Sequence, residues 1–341
     1  MVLELSDPRW ADFVATHPAA TPFHHPGWTR LVAGCYGFHA FALAVGDPNG
    51  AIRAGLPVVE VRHLRSGPKW VSLPYTDYCP PLVSPGESEE QLVAALRRSS
   101  RAAGVRRVEV RAPLAGGSTA SLSGLRHVLA LGPDPAVVYA GFHRSQVQRN
   151  IRRAEREGLT VRQGTSPHDL VDTFYQLHLR TRRRQGVPVQ PRRFFRMLWD
   201  NAIATGLGSV LIVEAGGKPI AAAVFLTWNE TVIYKFGASD ENSWSLRPNH
   251  LLIWHAIRTA CEQGSRWFDF GRTDIGHEGL RNFKLSWGAA EEPLFYGMVG
   301  GTPEPAPSAE GMATRVLAPV IRRGPLLLCR AVVETLYRYV A

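Results

Sequence analysis

Lysine is nearly absent from this chain: 4 residues (Lys69, Lys218, Lys235, Lys284) stand against 35 arginines in 341 positions. With the composition so biased toward arginine, each remaining lysine draws attention as a compact, flexible ammonium in place of a planar guanidinium. Cysteine is scarce as well. Cys35, Cys79, Cys261 and Cys329 lie far apart and form no C-x-x-C pair, which argues against a zinc site or a disulfide framework and fits a reducing compartment. No apolar run approaches the ~18 residues that cross a bilayer. The opening MVLELSDPRW has neither the basic nor the apolar stretch of a secretory leader, so a cytoplasmic location is expected. The strings H-E-x-x-H, G-x-S-x-G and the P-loop are missing. Histidines at 24, 25, 143, 178, 250, 255 and 277 show no ligand spacing, and no metal site is expected. The chemistry sought is therefore one that needs neither a resident metal nor a covalent nucleophile.

What is present is an ordinary globular composition, 45% hydrophobic and 20% charged, in a chain long enough for two domains with proper cores. Net charge is +10, and its placement matters more than its size. Residues 143–200 hold 13 arginines and 5 acids, a local net of +8. Such a concentration suits a polyanionic partner, or else it is a basic solvated face. Within it the spacing predicts a helix over 146–158 with Arg149, Arg152, Arg153 and Arg156 on one face and Gly158 as its C-terminal stop. A second helix over 167–185 ends in Arg180, Arg182, Arg183 and Arg184, where cations also complement the helix dipole.

The chain repeats an order of elements. A helix near 27–33, a hairpin about Asp47-Pro48-Asn49-Gly50, a strand at 70–73, a helix at 89–103 and a strand after Gly104 form the first copy. A helix from 192 to 204, a hairpin about Gly216-Gly217, the strand TVIYKFGAS, a helix at 249–263 and a strand after Gly264 form the second. Gly104 and Gly264 are offset by 160 positions, Gly50 and Gly217 by 167. The segment GTPEPAPS from Gly301 reads as a linker. Beyond it an apolar, arginine-bearing stretch predicts an amphipathic helix, either docked on the body or meeting anionic lipid.

The densest signal is WFDFGRTDIGHEGLRNFKLSWG, residues 267–288. An apolar strand leads through Gly271-Arg272 and Gly279-Leu280 to Phe283-Lys284, just before Trp287-Gly288. Glycines at the bends allow a tight turn or the close approach of a ligand. A lone ammonium in an aromatic setting suits a phosphate or a developing oxyanion. Arg272, Asp274 and Arg281 are read as a loop leading to Lys284, positioned to contact substrate. Tyr234 and Lys235 alternate along a strand, so one faces a groove and the other does not. Asn249, after Pro248 at a helix start, suits a cap or a phosphate site.

These strings, together with LPYTDYCPPL, RNIRRAEREGLTV, TRRRQGVPVQPRRFF, KPIAAAVFL and RPNHLLIWHAI, resemble the Fem-like aminoacyltransferases and their GNAT-related kin over roughly residues 20–300. The resemblance implies an α/β (α+β) architecture of two tandem GNAT-like domains. Each would be a mixed, mostly antiparallel sheet flanked by helices, with a cleft between the two. The first domain is expected at 1–145, the second at 146–300 and the linker with its helix at 301–341. It implies transfer of an amino acid from aminoacyl-tRNA, as co-substrate and without a bound cofactor, to an amine of a peptidoglycan precursor or peptide-like natural product. It places Phe283-Lys284 at the reaction centre and gives Asp77 the incoming ammonium, with Tyr75 lining the acceptor pocket. Arg149, Arg152 and Arg153 would hold tRNA or acceptor phosphates, and Tyr234, Asn249, Arg272, Asp274 and Arg281 would contact substrate. The long helical arm of some members is missing. The alternative is an acyl-CoA-dependent N-acyltransferase, which would want a glycine-rich turn where this chain has SLRPNHLLIW. A peripheral contact with an anionic membrane through the C-terminal helix is a further expectation.

Overall fold

The computed structural model describes residues 1–63, 67–116 and 119–300, together with Ala318, Ile321 and Arg322. The Pro-rich linker and the C-terminal amphipathic helix expected from Gly301 onward lie outside the described residues. The described chain falls into two compact units, Met1–Gly124 with residues 293–300, and Leu125–Glu292. Each is a mixed α/β arrangement, a sheet flanked by helices.

The chain begins with β1 (Val2–Leu3), α1 (Pro8–Thr16), α2 (Pro26–Tyr36), β2 (His39–Gly46), β3 (Ile52–His63), β4 (Gly67–Val71), β5 (Leu82–Val83), α3 (Glu89–Ala102) and β6 (Arg107–Val110). Then follow β7 (Thr119–Ala130), α4 (Pro135–Ala140), α5 (Arg149–Arg156), β8 (Thr160–Gln163), α6 (Tyr175–Gln185) and α7 (Arg192–Leu198). The rest are β9 (Gly208–Ala215), β10 (Lys218–Trp228), β11 (Thr231–Ser239), α8 (Pro248–Glu262), β12 (Trp267–Thr273), α9 (Glu278–Leu285) and β13 (Ala290–Val299). Local chemistry explains the starts and stops. Ser88 caps α3, whose first turn carries Glu89 and Glu90 and whose last carries Arg101, in keeping with the helix dipole. Gly216 and Gly217 both have positive φ, at 55° and 78°, as a two-residue hairpin turn between β9 and β10 requires.

In the first unit the strand order is β1-β2-β3-β4-β6-β13, with β5 also on β3; β4 and β6 run parallel across α3 and the other pairs are antiparallel. Leu43, Leu56, Val58, Leu92, Leu96, Val108 and Val110 form its core. In the second unit the order is β7-β12-β11-β10-β9-β8, and β11 and β12 run parallel across α8. The expected duplication is visible in the pairings: hairpin, third strand, crossover helix and parallel fourth strand recur as β2-β3-β4-α3-β6 and β9-β10-β11-α8-β12. The strand that completes each sheet departs from sequence order. Residues 125–130 of β7 belong to the second unit, and residues 293–299 of β13 to the first.

The sheet of the second unit is covered on both faces. Val213, Ala221, Ala223, Phe225 and Val232 pack with α5 and α8, while Phe236 meets His178, Phe194 and Phe195 of α6 and α7. That is why residues 220–226 of β10 read as a continuous apolar run with no polar alternation. Parallel pairing of β11 and β12 covers only 231–233 against 267–269. Both strands continue past those residues, so the C-terminal ends of β11 and β12 have no ladder between them.

Candidate active site

β12 carries the site because of its alternation. Phe268 and Phe270 are buried, and Asp269 between them is 5% exposed. Asp269 Oδ1 accepts the Gly271 N–H at 2.7 Å, and Oδ2 accepts Arg126 Nε at 2.7 Å. The register with β7 slips at this point. Asp269 pairs with Val128 and Arg272 with Arg126, so Phe270 and Gly271 together oppose the single residue His127. This is a β-bulge, and Gly271 at φ 71° is its left-handed residue.

Lys284 answers the bulge from α9. Its Nζ donates to the Gly271 carbonyl at 2.8 Å and the Arg272 carbonyl at 3.0 Å, and the residue is 3% exposed. A buried charge must be hydrogen-bonded to be tolerated, and two carbonyl oxygens go far toward that. The ammonium is thereby fixed at the bulged end of β12. Arg272, Asp274 and Arg281 do not form the single loop expected from the sequence. Arg272 ends β12 and pairs with Asp274 at 2.7 Å, while Arg281 lies on α9 one turn before Lys284. Glycines 276 and 279 disguise the helix start, where His277 caps Leu280 N–H.

Around Lys284 lie groups that the sequence did not advertise. His127 is fully buried, with Nε2 3.1 Å from Glu291 Oε2 and Nδ1 3.4 Å from Thr273 Oγ1. Burial holds the imidazole below its ordinary pKa, and the Lys284 charge adds to that against the Glu291 carboxylate. Arg281 grips Glu291 with two bonds of 2.6 and 2.8 Å and keeps that carboxyl below the usual range. Asp269, Thr273 and Glu291 belong to this set as well. Only Asp269 left a trace in the sequence, as an acid between two aromatics.

Phe283 packs edge-on against His250 and Trp287, at centroid distances of 5.6 and 6.1 Å. Burial drives His250 down to about 4, aided by Arg247. On β11 the expected alternation of Tyr234 and Lys235 is broken. Val224 pairs with Phe236 and Phe225 with Tyr234, leaving Lys235 as the extra residue of a second bulge. Tyr234 packs on Phe225 and its hydroxyl lies over Gly237, where a Cβ would sit 1.7 Å from it. Burial pushes this phenol up to about 12. Asn249 does not cap α8; its Nδ2 donates to Ser239 Oγ at 3.3 Å. The helix instead opens on Arg247 at φ 64° and on Pro248.

Tyr75 and Asp77 belong to the first unit, in the loop after β4. Tyr75 takes φ 60°, a costly conformation for an aromatic residue, with its ring 4.7 Å from that of Tyr36. The Asp77 carbonyl accepts the Tyr296 hydroxyl at 2.9 Å. Arg111 stacks on the Tyr296 ring at 4.6 Å and meets Glu109 at 2.9 Å, while Lys69 reaches the same Glu109 at 2.6 Å. This buried ionic group was also missed, since its members lie on three different strands.

The arginine face of α5 points to solvent, because Val147, Ile151 and Ala154 are buried behind it. Arg149 is exposed, Arg152 donates to Gln148 Oε1 at 2.9 Å and Arg153 meets Glu157 at 3.6 Å. The second arginine run is partly occupied. Arg180 and Arg184 lie 3.7 and 3.6 Å from Asp240 and Glu241, and Arg184 covers the Trp244 ring.

Residues 141–285 match the family described as an acetyltransferase (GNAT) domain. A crystal structure of FemX superposes with a TM-score of 0.67 at 15% identity, covering 87% of this chain and 96% of that one. Residues 141–285 are thus similar to a GNAT domain, and the chain shares the fold of FemX. L-PGS from Bacillus licheniformis is a second structural neighbour, with TM-score 0.57 and 11% identity over 94% of this chain and 98% of that one. Among curated proteins, a lipid II:glycine glycyltransferase from Staphylococcus haemolyticus (strain JCSC1435) is 29% identical over 85 residues, or 23% of this chain. That match spans 20% of the length of the glycyltransferase. Among the described residues of this Fem-like fold, no helix is long and apolar enough to cross a membrane.

Proposed function

We propose that this chain is a tRNA-dependent aminoacyltransferase built from two GNAT-like domains. It would act in the cytoplasm, moving an amino acid from aminoacyl-tRNA to an amine of a peptidoglycan precursor or peptide-like natural product. In the reaction the acceptor nitrogen attacks the ester carbonyl carbon. A C–N bond forms, the C–O bond to the terminal ribose breaks, and the proton lost by the amine ends on the departing ribose oxygen. The ester is already activated, so the protein's task is to position the reactants and steady the oxyanion. Lys284 is the group assigned to that oxyanion and Phe283 to the wall beside it. Asp77, with Tyr75, is assigned to the acceptor ammonium, which must become neutral before attack. Tyr234, Asn249, Arg272, Asp274 and Arg281 are assigned to substrate contacts, and Arg149, Arg152 and Arg153 to the tRNA backbone.

One observation carries the choice of donor: the way α8 begins. A helix that cradles a CoA pyrophosphate presents successive backbone N–H groups to it. Here the first helical residue is Pro248, which has no N–H, and the turn before it carries Asp240 and Glu241. The second reading, an acyl-CoA-dependent N-acyltransferase, draws support from the GNAT match over 141–285. Purified full chain incubated with a model amine and either charged tRNA pools or acetyl-CoA separates the two. Amide formation that depends on charged tRNA is the expected result; acetyl-CoA consumption without it would replace the first reading by the second.

The arginine assignment has its own test. Reversing Arg152 and Arg153 to Glu should weaken tRNA binding and flatten its salt dependence, by roughly one unit of log–log slope for each lost phosphate contact. An unchanged slope in a filter-binding titration would return both residues to the solvated surface.

A further inference from the structure

His127 is the only residue opposite the two-residue bulge of β12, and the two carbonyls Lys284 grips, those of Gly271 and Arg272, belong to that bulge and the residue after it. The imidazole is fixed at both ends, by Glu291 at 3.1 Å and by Thr273 at 3.4 Å. Glu291 is itself locked by Arg281, which lies on the same helix as Lys284. A closed circuit results: β7 to β12 through His127–Thr273, β12 to α9 through Lys284, and α9 back to His127 through Arg281–Glu291. Asp269 and Arg126 secure the bulge from its other side.

We propose that His127 is a positioning residue whose neutral imidazole holds the bulged carbonyls, and through them the Lys284 ammonium, in the place where the reaction uses it. This rests on the aminoacyl-transfer reading given above. The neutral tautomer fits both contacts. With Nε2 as donor to the Glu291 carboxylate, Nδ1 is left to accept from the Thr273 hydroxyl. A proton on Nδ1 would reverse the Thr273 contact, making the ring the donor and the hydroxyl the acceptor, and place a second positive charge beside Lys284. The charged groups that act on the ring are Lys284 and Arg281 from α9 and Glu291 from β13, while Arg126 pairs with Asp269 and Glu292 on the other side of the strand. Burial of the ring, with the Lys284 and Arg281 charges beside it, outweighs the bonded Glu291 carboxylate and holds the imidazole below its ordinary pKa.

The scarcity of lysine supplies the test. With 4 lysines in the chain, side-chain resonances of labelled lysine are few, and a Lys284→Arg sample assigns the one of interest. Titrating the full-length protein from about pH 8 downward should produce a step in the Lys284 signal, below the ordinary histidine range, as His127 gains its proton. His127→Gln, which keeps a neutral donor and acceptor, should abolish the step and the matching acid limb of transfer. His127→Phe should lower kcat by about 10- to 100-fold with KM little changed, and His127→Gln should recover part of that loss. Should the glutamine variant fail to fold, Glu291→Gln serves: loss of the carboxylate moves the step to lower pH. A wild-type Lys284 signal with no step, a step that persists in His127→Gln or stays in place in Glu291→Gln, or wild-type kcat in His127→Phe would overturn the proposal. A clear step in a protein that transfers nothing from charged tRNA would leave the positioning role standing and remove the aminoacyl-transfer reading.

Discussion

Lys284→Ala is expected to lower turnover by about 100- to 1000-fold, the range found when a donor to a developing oxyanion is removed. The substitution also strips the Gly271 and Arg272 carbonyls of their donor inside the protein, which carries a stability cost of about 1–3 kcal/mol. The two effects are separable. Single-turnover rates on charged tRNA report the chemistry, and urea unfolding reports the bulge. Lys284→Arg keeps the charge but spreads it over a planar fork that cannot reproduce a point contact with two convergent carbonyls. It should therefore retain more stability than Lys284→Ala while recovering little of the rate. If Lys284→Ala turns over like the parent, the ammonium has a purely architectural role and the oxyanion must be steadied elsewhere.

The second large effect is loss of stability in mild acid. His24 and His178 are 0% and 2% exposed, and burial drives them down to about 4 and about 3. An unfolded chain binds protons at these histidines near their ordinary value of about 6.5, whereas the folded protein refuses them until far lower pH. The unfolded state thus holds more protons throughout that window, so stability rises with pH across it and falls as pH drops. Each group contributes about 1.4 kcal/mol per pH unit, and with His250, also held at about 4 by burial, the three together give roughly 4 between about pH 6.5 and pH 4. The carboxylates held low by arginine, Glu291 among them, begin to matter only below about pH 5. Urea midpoints at about pH 7 and pH 5.5 should show the difference plainly. His178→Gln should reduce the slope by about a third; a slope unaltered by that change would assign the acid sensitivity to other groups.

Much of the architecture was legible because its signals are local. The Gly216-Gly217 turn, the apolar run of β10, the caps of α3 and the arginine periodicity of α5 each act within a few residues, and each element formed where its pattern placed it. Three features were not legible. Asp269, His127 and Glu291 share a site only because β7 and the start of β13 come together with β12, and non-local pairing leaves no mark on spacing. The bulge at Lys235 defeats strict alternation, since one added residue reverses every face assignment beyond it. α9 hid behind Gly276 and Gly279, which read as loop punctuation, although His277 and Glu278 start a helix there. The string that named Lys284 therefore pointed to the right residue without revealing that its partners are backbone carbonyls.

The late arrival of β13 sets a schedule for synthesis. When β6 leaves the ribosome, its outer edge has no neighbour, and about 190 residues must still be made before residues 297–299 can pair with 108–110. At ordinary translation speeds of about 5–20 residues per second that interval is roughly 10–40 s, a long exposure for an open strand edge. A chain truncated after Glu292 would carry the strands of the second unit and a first sheet still missing its last member. Such a chain should be a client for holding chaperones, and one released ten residues later should not.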